Sequence, residues 1–154
     1  MFSRYWLLKK YWHILENKPF GKALFSYVVG YLIPYTGSIK PYIMQAKQGF
    51  AEVILYDKKS VRNHLNSIHA IALANLGEVT TGIALHFSLN NHARAILTEL
   101  KVTFLKKARG VIYSRAQINM EEIKKFGEIT IKAILSDHTR EEVAVVYATW
   151  KYEN

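Results

Sequence analysis

Cysteine is absent from this chain of 154 residues, which excludes a disulfide framework and thiolate chemistry and allows a reducing compartment. Only three prolines are present, no low-complexity tract occurs, and half of the residues are hydrophobic. This composition excludes a disordered chain. A chain of this length is expected to fold as one structural unit with a sizeable core.

A hydrophobic run long enough to cross a bilayer is also lacking near the N-terminus. The segment FGKALFSYVVGYLIPY (20–35) falls short of the ~20 apolar residues that a span needs, contains Lys22 and is closed by Pro34. Charges interrupt the start MFSRYWLLKKYW and no small-residue cleavage site follows, so we do not expect a signal peptide. We expect a cytoplasmic protein. Membrane contact through the aromatic, basic N-terminus is a less favoured alternative.

Acidic residues are scarce in the first part of the chain. Residues 1–62 hold ten Lys/Arg and three acids, a net charge of +7, whereas residues 63–154 hold eleven and nine, a net charge of +2. The front of the molecule is therefore expected to meet an anionic group on a ligand, a nucleic acid or a membrane. We do not expect nucleic-acid binding, because no recognition motif is present and the aromatics alternate with apolar positions as core residues do. No metal or cofactor is expected, because the six histidines lack paired ligand spacing.

The first half of the chain reads as helices and short extended segments. Helical patterns cover about 5–15 and the segment from Pro19 to about residue 33, and PYTGSIKPY reads as a loop. Two extended segments follow, at about 40–48 and 50–57, and a long apolar helix is predicted over about 65–85.

The second half alternates with a period of two, which is typical of strands. The alternating segments are ILTELKVTFLKK, VIYSRAQINM, EITIKAIL and VAVVYATWKY. Short turns join these segments, so the last strands are expected to pair antiparallel as a meander. The predicted fold class is α+β, with a curved antiparallel sheet wrapped around one long helix. Residues 1–35 are expected to form an N-terminal helical extension and residues 36–154 the main domain.

Glu78 is unusual because it lies within the long apolar helix. At 100° per residue, one side of the helix forms an apolar stripe that is expected to face the sheet. The stripe comprises Leu65, Ile68, Ala72, Leu76, Val79 and Ile83. Glu78 falls on the other side, among small and apolar residues that do not resemble a solvent-facing surface. Burial of a carboxylate there raises its pKa, which favours a functional group over an ordinary surface residue.

Two further polar residues lie near the predicted start of this helix. Asn63 is placed to cap free N–H groups, and the same N–H groups would suit a developing oxyanion. His69 falls on the sheet-facing stripe, where a hydrogen-bonded core histidine is a more common role than proton transfer.

Asn63, NSIHAIALANLGE (66–78) and ILTELKVTFLKKARG (96–110) together resemble the hotdog-fold thioesterase superfamily, in particular its family called domain of unknown function 4442. The resemblance extends from about Pro34 to the end of the chain. Relatives of the phenylacetate type carry Asn, then a His-Gly-Gly helix start, then Asp or Glu. Here the matching residues are Asn63, His69-Ala70-Ile71 and Glu78, so two glycines are replaced and the acid is Glu.

The resemblance implies an acyl-CoA thioesterase that works as a homodimer with a site between subunits, and the sequence does not distinguish a dimer from a tetramer. The amide N–H of Ala70 would polarise the thioester carbonyl, Asn63 would position the reactants, and Glu78 of the opposing subunit would act as general base or nucleophile. Phosphates of coenzyme A would meet the cluster of Arg94, Lys106, Lys107 and Arg109. The sequence does not distinguish coenzyme A from an acyl carrier protein as the carrier of the acyl group. That cluster could equally be a charged sheet edge that prevents aggregation.

Two other functions remain open from the sequence. A non-catalytic protein that binds acyl groups or serves in assembly is compatible with the same fold. A 3-hydroxyacyl dehydratase would pair a loop histidine, here His64, with Glu78, but the proline- and glycine-bearing segment expected between them is missing.

Overall fold

The computed structural model of the protein describes residues 5–154, with side chains described from residue 7 onward. Two helices, α1 (Tyr5–Leu15) and α2 (Gly21–Leu32), open this part of the chain close to the expected bounds. A short helix, α3 (Pro34–Ser38), follows where we predicted a loop. Pro34 lies in the first turn of α3, where its missing N–H is no loss. The proline that ends α2 therefore also begins α3.

Six strands form one antiparallel sheet: β1 (Tyr42–Lys47), β2 (Phe50–Leu55), β3 (Arg94–Phe104), β4 (Ile112–Gln117), β5 (Phe126–Ser136) and β6 (Glu142–Glu153). Their order across the sheet is β1-β2-β4-β5-β6-β3. The last three strands form the predicted meander, whereas β3 lies at the edge beyond β6. A bulge between Leu97 and Glu99 shifts the register of β3 against β6.

The long helix, α4 (Ala70–Ser88), crosses the concave side of the sheet. The predicted start near residue 65 is wrong, because residues 64–67 form a turn and the residues on either side of it pair with each other or with other parts of the chain. Arg62 and Ile68 form an isolated bridge, the Ile68 N–H donates to Ala108 O, and the His69 N–H donates to Val61 O. Leu65 is exposed and Ile68 is buried outside the helix, so neither belongs to the helical stripe.

A glycine sets how closely α4 lies on the sheet. A Cβ added at Gly77 would lie 2.3 Å from Cγ2 of Val146 on β6, far inside van der Waals contact. Within the described residues, α4 is also the one helix long and apolar enough to cross a membrane, yet 61% of its apolar window is buried within the protein. We interpret α4 as the core helix of the domain.

The N-terminal helices share the core of the sheet and α4. Trp12 of α1 is buried and contacts the edges of Phe25 on α2 and Phe87 on α4, with ring centroids 5.0 and 6.5 Å apart. Such edge-to-face contacts add to the hydrophobic burial. The boundary that we place at residue 35 remains a prediction, since one continuous core spans both sides of it.

Candidate functional site

A largely apolar cavity of about 260 Å³ lies between α4, the N-terminal helices and the strands β3 and β6. The apolar side chains that line it include Phe25, Val29, Ile33, Ile83, Leu97 and Trp150. Trp150 is held by a hydrogen bond of 3.2 Å from its indole N–H to Thr81 Oγ1 on α4. The cavity has the apolar walls and few polar groups of a ligand pocket.

Glu78 is a partly buried carboxylate that lines this cavity. Burial raises the pKa of Glu78 above its usual value, because the charged form loses water. Among the residues that the structure describes, none donates a hydrogen bond to this carboxylate or forms an ion pair with it. A carboxylate whose pKa is raised by burial is a stronger base than an ordinary surface carboxylate, which suits a general base. The burial agrees with the sequence analysis, but the cavity beside Glu78 is lined by α2, β3 and β6 of the same chain, and the role of Glu78 remains a prediction.

His86 is a second titratable group in the cavity, and the sequence analysis did not single it out. It lies two turns after Glu78 on α4, with Gly82 between them at the same helical face. Burial, and secondarily the positive charge of Lys9, lowers the pKa of His86 to about 4. His86 is therefore neutral at physiological pH. The spacing of four residues from Glu78 to Gly82 to His86 was the available signal.

The prediction that His69 is a core histidine is wrong. His69 is exposed and caps α4, with its Nδ1 accepting a hydrogen bond of 3.1 Å from the N–H of Ile71. Asn63 lies seven residues before α4 and caps a turn instead. Its Oδ1 accepts from the N–H groups of Leu65 and Ser67 and from the Ser67 hydroxyl. Asn63 thus orders the loop that leads into the helix.

Ala70 is the first residue of α4, and its amide N–H has no acceptor among the described residues. It is one of the unpaired donors that every helix start presents, at the positive end of the helix dipole. Glu78 follows eight residues later, about 12 Å along the helix axis at 1.5 Å per residue. One chain therefore does not bring Ala70 and Glu78 to the same thioester carbonyl.

The predicted basic cluster is divided between two places. Lys106 is engaged in ion pairs with Asp137, at 2.8 Å, and with Glu141, and Asp137 has a pKa well below its usual range chiefly because of Lys106. Lys107 is exposed nearby, and Arg109 donates to Asn66 O at 3.3 Å in the loop before α4.

Arg94 lies apart from these residues, at the opposite end of β3. Eleven residues of extended chain separate the two ends of the strand by about 33 Å. A single chain therefore does not assemble all four cations around one phosphate group. In the described part of the chain, His, Asp and Glu side chains form no group of three or more that could hold a metal ion.

A curved antiparallel sheet wrapped around one long helix defines the hotdog fold, and the predicted fold class is confirmed. Residues 21–152 match the family described as Domain of unknown function (DUF4442), and the chain belongs to that family. The resemblance seen in the sequence is thus confirmed. No curated protein matches the sequence.

Three solved structures illustrate the likeness. A structural-genomics protein with no stated activity is 24% identical, with a TM-score of 0.84, over 96% of this chain and 98% of its own. A thioesterase family protein from Silicibacter pomeroyi is 17% identical, with a TM-score of 0.71, over 83% of this chain and 95% of its own. The thioesterase HI1161 from Haemophilus influenzae is 13% identical, with a TM-score of 0.70, over 78% and 82%. At these identities the likeness concerns the fold.

Proposed function

We propose that this protein hydrolyses acyl-CoA thioesters, with Glu78 activating the attacking water. The observation that carries this proposal is the unpaired carboxylate of Glu78, partly buried beside an apolar cavity. The thioesterase names of the structural relatives HI1161 and the Silicibacter pomeroyi protein agree with it. The cavity would hold the acyl chain, and Glu78 would take a proton from the water whose oxygen bonds to the carbonyl carbon. The C–S bond would then break, and Glu78 would return this proton to the sulfur, so that a fatty acid and the free thiol of coenzyme A leave.

The proposed active unit is a homodimer. Ile71, Ala74 and Glu78 form a stripe on the first half of α4 that the rest of the chain leaves partly or fully open. If two antiparallel α4 helices cross near Ala74, Glu78 lies four residues beyond the crossing and Ala70 four residues before it. The two offsets match at about 6 Å each, so the partner subunit's Glu78 would face Ala70.

The sheet edge supports the same dimer. β3 is an edge strand with Ile96, Leu100 and Phe104 exposed. Exposed edges of this length pair readily with another strand. Antiparallel pairing of two β3 strands about their midpoint would place Arg94 opposite the end of the partner strand, near the partner subunit's Lys107. Arg94 and the partner subunit's Lys107 would then lie close enough to bind the phosphates of coenzyme A together, while Lys106 stays with Asp137 and Glu141.

The walls of the cavity favour an apolar acyl group, because most of the side chains that line its volume of about 260 Å³ are hydrophobic. We therefore expect turnover of a series of acyl-CoA thioesters to depend on the length of the acyl chain.

The decisive experiment compares Glu78→Gln with the wild type on such a series. We expect kcat to fall by about 10²- to 10⁴-fold while acyl-CoA binding and dimer size are kept. The amide should not unfold the protein, because burial already disfavours the charged form of Glu78. Glu128→Gln, on an exposed residue of β5, is the matched control and should keep full activity. If Glu78→Gln binds acyl-CoA and turns it over as fast as the wild type does, the proposed role of Glu78 is wrong and a non-catalytic acyl-binding protein is the remaining function.

The inter-subunit site has its own test. Asn63→Asp keeps the acceptor that orders the turn but removes the amide donor, so it and Glu78→Gln would each inactivate a homodimer. When equal amounts of the two variants are dissociated, mixed and reassociated, half of the dimers contain one chain of each variant. Each of these mixed dimers has one intact site. Activity should return to about a quarter of the wild-type value. A site within one chain predicts no recovery.

A further inference from the structure

Helix α2 carries an exposed aromatic stripe that the proposed hydrolase does not use. The stripe, here called the tyrosine face, comprises Phe20, Leu24, Tyr27, Tyr31 and Tyr35. Leu24, Tyr27 and Tyr31 follow at steps of three and four residues, so they lie on one side of α2. Each residue of the tyrosine face is more than half exposed, and Phe20 reaches 89%.

The opposite side of α2 is also apolar. Phe25, Val29 and the following Ile33 line the acyl cavity, and Lys22 is the one charged residue in the helix. A helix that is hydrophobic all round is normally buried on all sides. Large exposed apolar stripes mark interaction sites. The tyrosine face therefore calls for an occupant outside the chain.

Two lysines lie in a cleft beside this stripe. Tyr27 and Tyr31 border an open cleft of about 430 Å³ whose other walls include Tyr42, Tyr56, Lys40 and Lys58. The Lys58 ammonium lies 5.9 Å from the centre of the Tyr56 ring, and Lys40 is exposed. The closest acid in sequence, Asp57, is already engaged by Arg62 at 2.6 Å and by the N–H of Gly110.

The helices themselves add no compensating negative charge. The helices α1, α2 and α3 contain no acidic residue, and the one acid between residues 5 and 38 is Glu16, which follows α1 and pairs with His13 at 3.3 Å. The tyrosine face with its cleft is thus apolar, aromatic and cationic. Tyrosines with lysines are the composition that settles at the headgroup level of a bilayer, because the rings need one apolar and one wet side.

We propose that the tyrosine face and its lysine-lined cleft dock on an anionic phospholipid membrane. The rings would enter the headgroup region, and Lys40 and Lys58 would contact lipid phosphates. A second copy of this chain fits less well, since it would bring the same uncompensated lysines together. The edge strand β3 offers self-association a better surface. Docked in this way, the protein would hold its acyl cavity directly behind the helix that meets the lipid.

The test is sedimentation of the full chain with vesicles of phosphatidylcholine alone or with about 30% phosphatidylglycerol. We expect the protein to bind only the vesicles that contain phosphatidylglycerol. This binding should weaken when salt is raised from about 0.05 to 0.5 M. Lys40→Ala with Lys58→Ala should weaken binding by about tenfold or more, since each lysine at an anionic surface contributes about fivefold. Tyr27→Ser with Tyr31→Ser should also remove most of the binding.

Matched controls lie on the outer face of the sheet. Lys132→Ala with Lys151→Ala removes the same charge from exposed strand positions, and Phe126→Ser removes an exposed ring from β5. These variants should bind vesicles as the wild type does, and circular dichroism should show every variant folded. Binding lost equally in both sets would mean a general charge effect and overturn the proposal.

Two other results would assign the tyrosine face to a different occupant. If the tyrosine variants change the oligomer size in sedimentation velocity while no vesicle binding occurs, the face is a contact between copies. If they reduce retention on single-stranded RNA while vesicles are ignored, the face binds nucleic acid. Either result overturns membrane docking. Acyl-CoA hydrolysis by the same variants should be unchanged in the absence of lipid, so this test is independent of the proposed activity.

Discussion

Adding one methyl group at Gly77 tests how closely α4 lies on the sheet. The new Cβ would lie 2.3 Å from Val146 Cγ2 and 2.6 Å from Val146 Cβ. Both distances are shorter than carbon atoms tolerate, so the helix or β6 must move. Overpacking of this kind costs about 1–3 kcal/mol, and we expect the upper half of that range. Replacing a helical glycine by alanine returns about 1 kcal/mol. The expected net loss is therefore about 1–2 kcal/mol.

Gly82→Ala is the matched control for Gly77→Ala. It makes the same change in the same helix, but its new Cβ would meet the ring of Trp150 at 3.3 Å, a contact that a small shift relieves. Gly82→Ala should therefore leave stability within about 0.5 kcal/mol of the wild type or raise it. In thermal unfolding, the melting temperature of Gly77→Ala should lie about 3–8 °C lower than that of the wild type.

A double-mutant cycle identifies the cause. Val146→Ala alone leaves a cavity and destabilises, but together with Gly77→Ala it removes two of the three close contacts, those to Cγ2 at 2.3 Å and Cγ1 at 2.9 Å, while the contact to Cβ at 2.6 Å remains. The double variant should therefore be more stable than the sum of the two single effects by about 1 kcal/mol. Two additive effects, or a Gly77→Ala protein as stable as Gly82→Ala, would refute the close approach of α4 to β6.

Three further predictions concern single residues. Because the folded state holds the pKa of His86 at about 4 instead of 6.5, the unfolded chain takes up a proton first on acidification. The free energy of unfolding should thus fall between about pH 6.5 and 4 by at most about 3 kcal/mol. In urea unfolding, His86→Gln should show a weaker dependence of this free energy on pH, and an equal dependence in the variant and the wild type would contradict the prediction. Phe20 adopts a left-handed conformation at φ 57°, so Phe20→Gly should stabilise the protein by about 0.5–1 kcal/mol, and a lower melting temperature would contradict the strain. Lys106→Ala should leave the KM for acyl-CoA unchanged, because Asp137 and Glu141 hold its ammonium; a raised KM would place Lys106 on the substrate.

Local sequence patterns predicted most elements because each depends on neighbours in the chain. Period-two alternation identifies the strands, and the spacing of apolar residues around Glu78 identifies the long helix and its unusual carboxylate. The short helix α3 was missed, because Pro34 was interpreted as an end signal alone. The start of α4 was misplaced by about five residues. Leu65 and Ile68 continue the helical pattern by chance, but the Leu65 N–H donates to Asn63 Oδ1 and the Ile68 N–H donates to Ala108 O.

The sequence by itself determined the α+β class, the single long apolar helix and the presence of a carboxylate where a carboxylate is costly. These follow from side-chain periodicity and from the free energy of burying charge, which both act locally. The tertiary structure alone decided that β3 lies beside β6, that α2 closes the cavity over Glu78, and that His86 joins it there. Such contacts join residues far apart in the chain, so they depend on the packing of whole elements. No window of neighbouring residues contains that information.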